Sequence, residues 1–138
     1  MSIPFDLSFQ MTRISNHGLK ALHAYSDPTN YPIMAHCTQG KDRTGLVICL
    51  ILLLVKVPAK AITYDYRLSQ SELMPERESR LKEIREIGLS DDFADCPEEW
   101  IEKMSLHLEE KYGGVREYCR KIGFSEEDEV KLLSILMA

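Results

Sequence analysis

One cysteine and one arginine stand in a setting suited to covalent chemistry. In the stretch 31–45, YPIMAHCTQGKDRTG, five residues separate Cys37 from Arg43. A short apolar segment (Ile33, Met34, Ala35) leads into His36 and Cys37, and an unbroken apolar run starts just past Gly45. That is the layout of strand, tight loop and helix. If the five residues wrap into a cradle, their backbone N–H groups converge at a helix N-terminus, where unpaired donors and the helix dipole both favour an anion. Arg43 adds a planar, permanently charged fork that matches two phosphate oxygens. The field that holds a phosphate also favours thiolate over thiol, so Cys37 is expected well below the usual thiol value of about 8.5. A thiolate beneath a bound phosphoryl group, with an arginine steadying the charge, is the equipment for covalent phosphoryl transfer. The competing reading is a surface loop that holds a buried structural cysteine.

The elements that must position this loop follow from periodicity. The spacing predicts a strand over 31–35 and a helix from about 44 to 54. The run LVICLILLLV is apolar on every side and too short to cross a bilayer, so it reads as a buried core helix aiming its N-terminus at the ligand. Residues 5–11 alternate apolar and polar, which suggests a second, half-buried strand. A short helix should run from Ser15 or Asn16 to about Tyr25, with Leu19 and Leu22 inward. Beyond the signature, helices are expected over 59–69, 75–87, 97–112 and from 115 to Gly123. Ser125 and Asp128 have the spacing of a capping box before a last helix. The acids at 91, 92 and 95 lack the spacing and glycine of a calcium loop, so capping and solvation are the expectation there.

Composition narrows the class further. A chain of 138 residues is one domain at most, and a net charge of −5 points away from nucleic acid. Any attraction for phosphate must therefore be local. Cys37, Cys49, Cys96 and Cys119 lack metal-ligand spacing, and the signature cysteine needs a free thiol. The expectation is a reducing, cytoplasmic compartment, no disulfides and no metal. Residues 1–10 have no basic region and are interrupted by Pro4, Asp6 and Ser8, so no signal peptide and no transmembrane segment is expected.

The ten residues HCTQGKDRTG resemble the signature of the cysteine-dependent tyrosine/phosphoinositide phosphatase family, and the resemblance extends from about residue 15 to the end. It implies an α/β fold of the tyrosine-phosphatase type. With only 36 residues before Cys37, this chain looks like the C-terminal part of such a domain, mostly α-helical with one or two strands and an incomplete sheet. The expected layout is a single domain over 1–138, a signature loop at 36–44 and a helical region over 59–138.

The resemblance also assigns roles. Cys37 attacks phosphorus to give a cysteinyl-phosphate. Arg43 and the N–H groups of Thr38, Gln39, Gly40, Lys41, Asp42 and Arg43 stabilise the equatorial oxygens. Thr44 donates a hydrogen bond to the Cys37 sulfur, and His36 orients the loop. Lys41 would stand at the rim and suit a second phosphate, as on an inositol. Asp42 is either the acid for the leaving oxygen or a structural partner of a neighbouring side chain. The implied substrates are phosphorylated proteins or phosphoinositides, with no cofactor. Two other classes stay open: a pseudo-phosphatase that binds phosphate without turnover, and a thiol redox enzyme of the arsenate-reductase kind. The latter needs a resolving cysteine, and Cys49, inside the apolar run, is poorly placed.

Overall fold

In the computed structural model, the backbone is described for residues 7–37, 39–89 and 91–138, and side chains from residue 15 onward except those of 38, 90, 92 and 93. Among the described residues there are eight α-helices: α1 (Leu7–Tyr25), α2 (Arg43–Leu54), α3 (Ala59–Arg67), α4 (Ser69–Leu73), α5 (Arg77–Glu86), α6 (Trp100–Tyr112), α7 (Val115–Ile122) and α8 (Glu126–Leu136). Short 3-10 turns at Pro28–Asn30, Met74–Glu76 and Asp91–Ala94 link them.

No strand is present among the described residues, which corrects the α/β expectation there. The strand expected over 31–35 does not form, and residues 33–37 take no regular structure. A strand exists by virtue of a ladder to a neighbour. The described segments around this one are helices, whose backbone groups already bond within themselves. Met34 is accordingly 82% exposed, without the sheet neighbours that would cover it. The second expected strand is also absent where it is described: residues 7–11 belong to α1, while Phe5 and Asp6 lie outside the described residues. Leu7 and Met11 are four apart, so the same apolar positions also fit a helix. Extending a helix already formed over 15–25 costs less than starting a strand without a partner.

The core gathers around α2. Leu46, Cys49, Leu50, Ile51 and Leu54 of this helix are buried, and Val47, Leu52 and Leu53 pack partly against the same cluster. The helix is in contact with α1, α3 and α7, which is why nearly every face of it can be apolar. From α6, Trp100, Ile101, Met104 and Leu108 fill the opposite wall. The Trp100 ring stacks on Tyr66 of α3 at 5.1 Å between centroids, tying α6 to α3 beneath the start of α2.

Chain reversal after α6 needs Gly113, whose φ of +89° is a left-handed value that a side chain resists. Its N–H and that of Gly114 satisfy the carbonyls of Glu109 and Leu108. The capping box at the start of α8 forms: Ser125 Oγ accepts from the Asp128 N–H at 3.1 Å, and the Asp128 carboxylate accepts from the Ser125 N–H at 3.2 Å. Glu129, buried on α8, is held by Arg116 and Arg120 of α7, each at 3.1 Å. Those two ion pairs are what allow a carboxylate inside. Among the described residues, no helix is long and apolar enough to cross a membrane.

Candidate active site

The loop between the irregular segment 33–37 and α2 turns on Gly40. Its φ is +72°, and a Cβ there would meet nothing within 4 Å, so the glycine answers a backbone need and not a packing one. The turn folds the chain back on Cys37, so that the N–H groups of Gln39 and Gly40 are directed at the sulfur. The loop then enters α2, whose first bond runs from the Leu46 N–H to the Asp42 carbonyl at 2.9 Å. Thr44, in the first turn of α2, presents both its N–H and its hydroxyl to the same sulfur. Its Oγ1 is buried and makes no hydrogen bond of ordinary geometry among the described residues, so its hold on the sulfur is electrostatic in the present geometry.

Burial pushes the Cys37 thiol up, but the Thr44 hydroxyl and the N–H groups of Thr44, Gly40 and Gln39 outweigh it and bring the thiol from 9.0 down to about 7. Hydrogen bonds to the charged form are what lower a pKa against desolvation. The other cysteines show burial acting with less opposition. Cys49 and Cys119 are pushed up to about 12, and Cys96 is raised as well. All four are free thiols, and Cys37 is the half-exposed one. The chain thus holds one acidic, accessible thiol and three inert ones.

The remaining residues singled out in the sequence sit as follows. Arg43 is the first residue of α2 and is exposed. His36 is exposed beside Cys37. Gln39 is half-buried, and its Oε1 is buried without a partner among the described residues. Thr38 lies outside the described residues.

Lys41 differs from expectation. It is 1% exposed and points inward, not to the rim. Its Nζ lies 2.7 Å from Asp42 Oδ1, so Asp42 is engaged by a neighbouring side chain. The reversal at Gly40 turns the next side chain toward the interior, where carboxylates offset the cost of burying an ammonium.

Sequence reasoning missed what lies beneath that ammonium. Its charge acts on Asp95 and Cys96. The Arg77 guanidinium holds the Asp95 carboxyl below the usual carboxylate range, through bonds of 2.9 and 3.0 Å. Gln70 Nε2 donates to Asp95 at 3.1 Å, while its Oε1 accepts from the Cys96 N–H at 2.6 Å. These residues come from α4, α5 and the segment before α6, and nothing in their spacing announces the meeting. The acidic segment is partly paired and not merely solvated, since Asp91 meets Arg85 at 2.8 and 2.9 Å. Among the described residues, no group of three or more His, Cys, Asp or Glu is placed to hold a metal ion.

Alongside the loop runs a cleft of about 140 Å³ between α2 and α3. It begins at Gly40 and Gly45, continues over Ile48, Leu52 and Ile62, and has Asp65 on its edge.

An acidic thiol facing backbone donors beside a helix N-terminus and an arginine is an arrangement chemically able to hold an anion. The chain belongs to the tyrosine phosphatase family, whose model matches residues 10–138. It is similar to the triple specificity protein phosphatase PtpB of Mycobacterium tuberculosis, at 26% identity over 77% of this chain and 44% of that protein. It is also similar to a tyrosine-protein phosphatase of Nostoc commune, at 30% identity over 70% of this chain and 36% of that protein. The chain spans less than half the length of these curated relatives.

Proposed function

We propose that the chain hydrolyses phosphate monoesters through a cysteinyl-phosphate on Cys37. The observation that carries this reading is the set of four donors, from Gln39, Gly40 and Thr44, that bring Cys37 to about 7, with Thr44 next to Arg43 in the first turn of α2. At neutral pH a large share of such a thiol is already thiolate. In the first step its sulfur bonds to phosphorus as the bond to the leaving oxygen breaks, and that oxygen takes a proton. In the second step water attacks phosphorus, giving inorganic phosphate and restoring the Cys37 thiolate. Arg43 and the N–H groups of residues 38–43 answer the charge on the equatorial oxygens in both steps. No cofactor enters the balance.

We take residues 1–138 as one tyrosine-phosphatase-like domain, with the loop 36–44 as its site and the helices over 59–138 as its support. The substrate class we favour is phosphorylated protein. One relative is named a triple specificity protein phosphatase, and the cleft beside Gly40 is mostly apolar, with Asp65 as the charged residue on its edge. Lys41 faces inward, which removes the rim cation on which a phosphoinositide preference would rest. A reducing, cytoplasmic setting suits a nucleophile that must remain a free thiol.

The test pairs turnover with binding. The Cys37→Ser variant should lose hydrolysis of 4-nitrophenyl phosphate by more than about a thousandfold while still binding tungstate in calorimetry. Substantial residual turnover would remove Cys37 from its role. Tungstate binding by an unaltered protein that turns over no ester would instead make it a phosphate-binding module.

A further inference from the structure

The cleft between α2 and α3 opens at Gly40, whose N–H also faces the Cys37 sulfur. Its volume of about 140 Å³ is below the roughly 300–1,000 Å³ of a pocket for a whole small molecule, so it suits one side chain. Ile48, Leu52 and Ile62 give it an apolar floor, and among the described residues Asp65 is the one charged residue that lines it. Asp65 is exposed, and its carboxylate makes no hydrogen bond or ion pair among the described residues. By contrast, the nearby Arg67 is paired with Glu98, and Asp42 with Lys41. Along α3 and the helical residues that follow it, Tyr64 and Leu68 fall on the side of Asp65 away from Ile62, and both are exposed. Apolar surface therefore continues past the carboxylate onto the outer face of the helix. A carboxylate beside a phosphate site repels a bare phosphate, unless the incoming molecule also carries a cation to meet it.

We propose that this cleft is a specificity subsite for a basic side chain of the phosphoprotein substrate. A lysine or arginine close in sequence to the phosphorylated residue lays its stem over Ile48, Leu52 and Ile62 and sets its charge on Asp65. This rests on the phosphatase reading above and names the class of phosphoprotein that the site favours. Long basic side chains combine an apolar stem with a cationic head, and the cleft offers a partner for each in the same order. A glutamate in that place would meet like charge, and an alanine would leave both parts unused. The net charge of −5 also draws cationic peptides, but that long-range field acts wherever along the peptide the cation stands. Asp65 is met only from positions within reach of the cleft while the phosphate sits in the loop.

Position dependence separates the subsite from the overall charge. The experiment uses phosphotyrosine peptides in which a lysine is moved one residue at a time along an alanine background, with norleucine and glutamate as alternatives at each place. It measures kcat/KM for the unaltered protein, Asp65→Asn and Asp65→Lys. Peptide affinity is measured by calorimetry on Cys37→Ser, with and without Asp65→Asn. At one or two positions lysine should exceed norleucine by about fivefold on the unaltered protein. Asp65→Asn should erase that advantage, and Asp65→Lys should pass it to glutamate at the same positions. Exchanging the lysine there for 2,3-diaminopropionate, which has the charge without the stem, should lose most of the advantage. Added salt should shrink it as well.

A lysine preference that is equal at every position, or that persists in Asp65→Asn, would belong to the overall charge and overturn the proposal. So would equal losses on all peptides in both Asp65 variants, which would make Asp65 a support of α3. An unaltered protein that turns over no peptide, while Cys37→Ser still binds the lysine peptides more tightly through Asp65, would strike the phosphatase reading and leave the subsite standing. Turnover with no preference among the peptides strikes only the subsite.

Discussion

Replacing Thr44 by valine removes one hydroxyl and keeps the shape of the side chain, so it isolates what that hydroxyl does for Cys37. Desolvation is the largest influence on the thiol and raises it; the hydroxyl heads the four donors that together bring it from 9.0 to about 7. A hydrogen bond to a charged acceptor contributes about 1.5–3 kcal/mol when buried. At a half-exposed sulfur, solvent screening reduces this to about 1 kcal/mol. That corresponds to a rise of about 0.7 in the Cys37 pKa. Well below pH 7 the thiolate is the minor form, so its population should fall about fivefold. The assay is iodoacetamide alkylation of Cys37, followed by mass spectrometry across the pH range. The three other cysteines do not interfere, being buried and raised.

Thr44→Val should alkylate about fivefold more slowly on the acidic limb and match the parent once both thiols are ionised. Stability should follow the same proton. Cys37 titrates lower in the folded chain than its ordinary 9.0, so the thiolate's contribution is complete above that value and is lost as pH falls through about 7. The variant should therefore be less stable than the parent in alkaline solution only. In acid it removes a buried, otherwise unpartnered hydroxyl and should be no less stable. Coincident alkylation profiles, or a loss equal at every pH, would refute the claim that this hydroxyl tunes the thiol.

Two further outcomes are expected. Arg43→Lys keeps the charge but loses the planar fork, so kcat/KM on 4-nitrophenyl phosphate should fall about a hundredfold or more; a loss below about threefold would mean that a point charge suffices. Trp100→Ala empties a buried site and unstacks Tyr66 below the loop. It should cost about 3–5 kcal/mol and lower the melting temperature by roughly 10–20 °C, read by circular dichroism. A shift of a few degrees would mean that α3 and α6 do not depend on this contact.

Much of the helical scaffold was legible because its signals are local. Pro97 and the stripe Trp100, Ile101, Met104 and Leu108 announce α6, and Ser125 with Asp128 announces α8. The all-round apolar run of α2 could only be a buried helix, and it forms one. Strands were not legible in the same way. The alternation at residues 7–11 is equally compatible with helix, and a strand over 31–35 requires a neighbour that no local pattern can guarantee.

The site divides along the same line. The order Cys37, Gly40, Arg43, Thr44 gave the loop and the helix that follows it. The sign of the charge on Lys41 was evident, but not its direction, because the reversal at Gly40 decides which way the next side chain faces. The meeting of Gln70, Arg77, Asp95 and Cys96 below the loop joins residues up to 26 apart, and no periodicity encodes it.

The most direct measurement of the central claim is to catch the intermediate. The protein is mixed with 4-nitrophenyl phosphate, quenched in the steady state under conditions that preserve thiophosphate, and its peptides are mapped by mass spectrometry. The account predicts one added phosphoryl group, on the sulfur of Cys37, whose labelling appears as fast as the first 4-nitrophenolate is released. A phosphoryl group found on His36, or steady turnover with no phosphorylated peptide at any quench time, would contradict it.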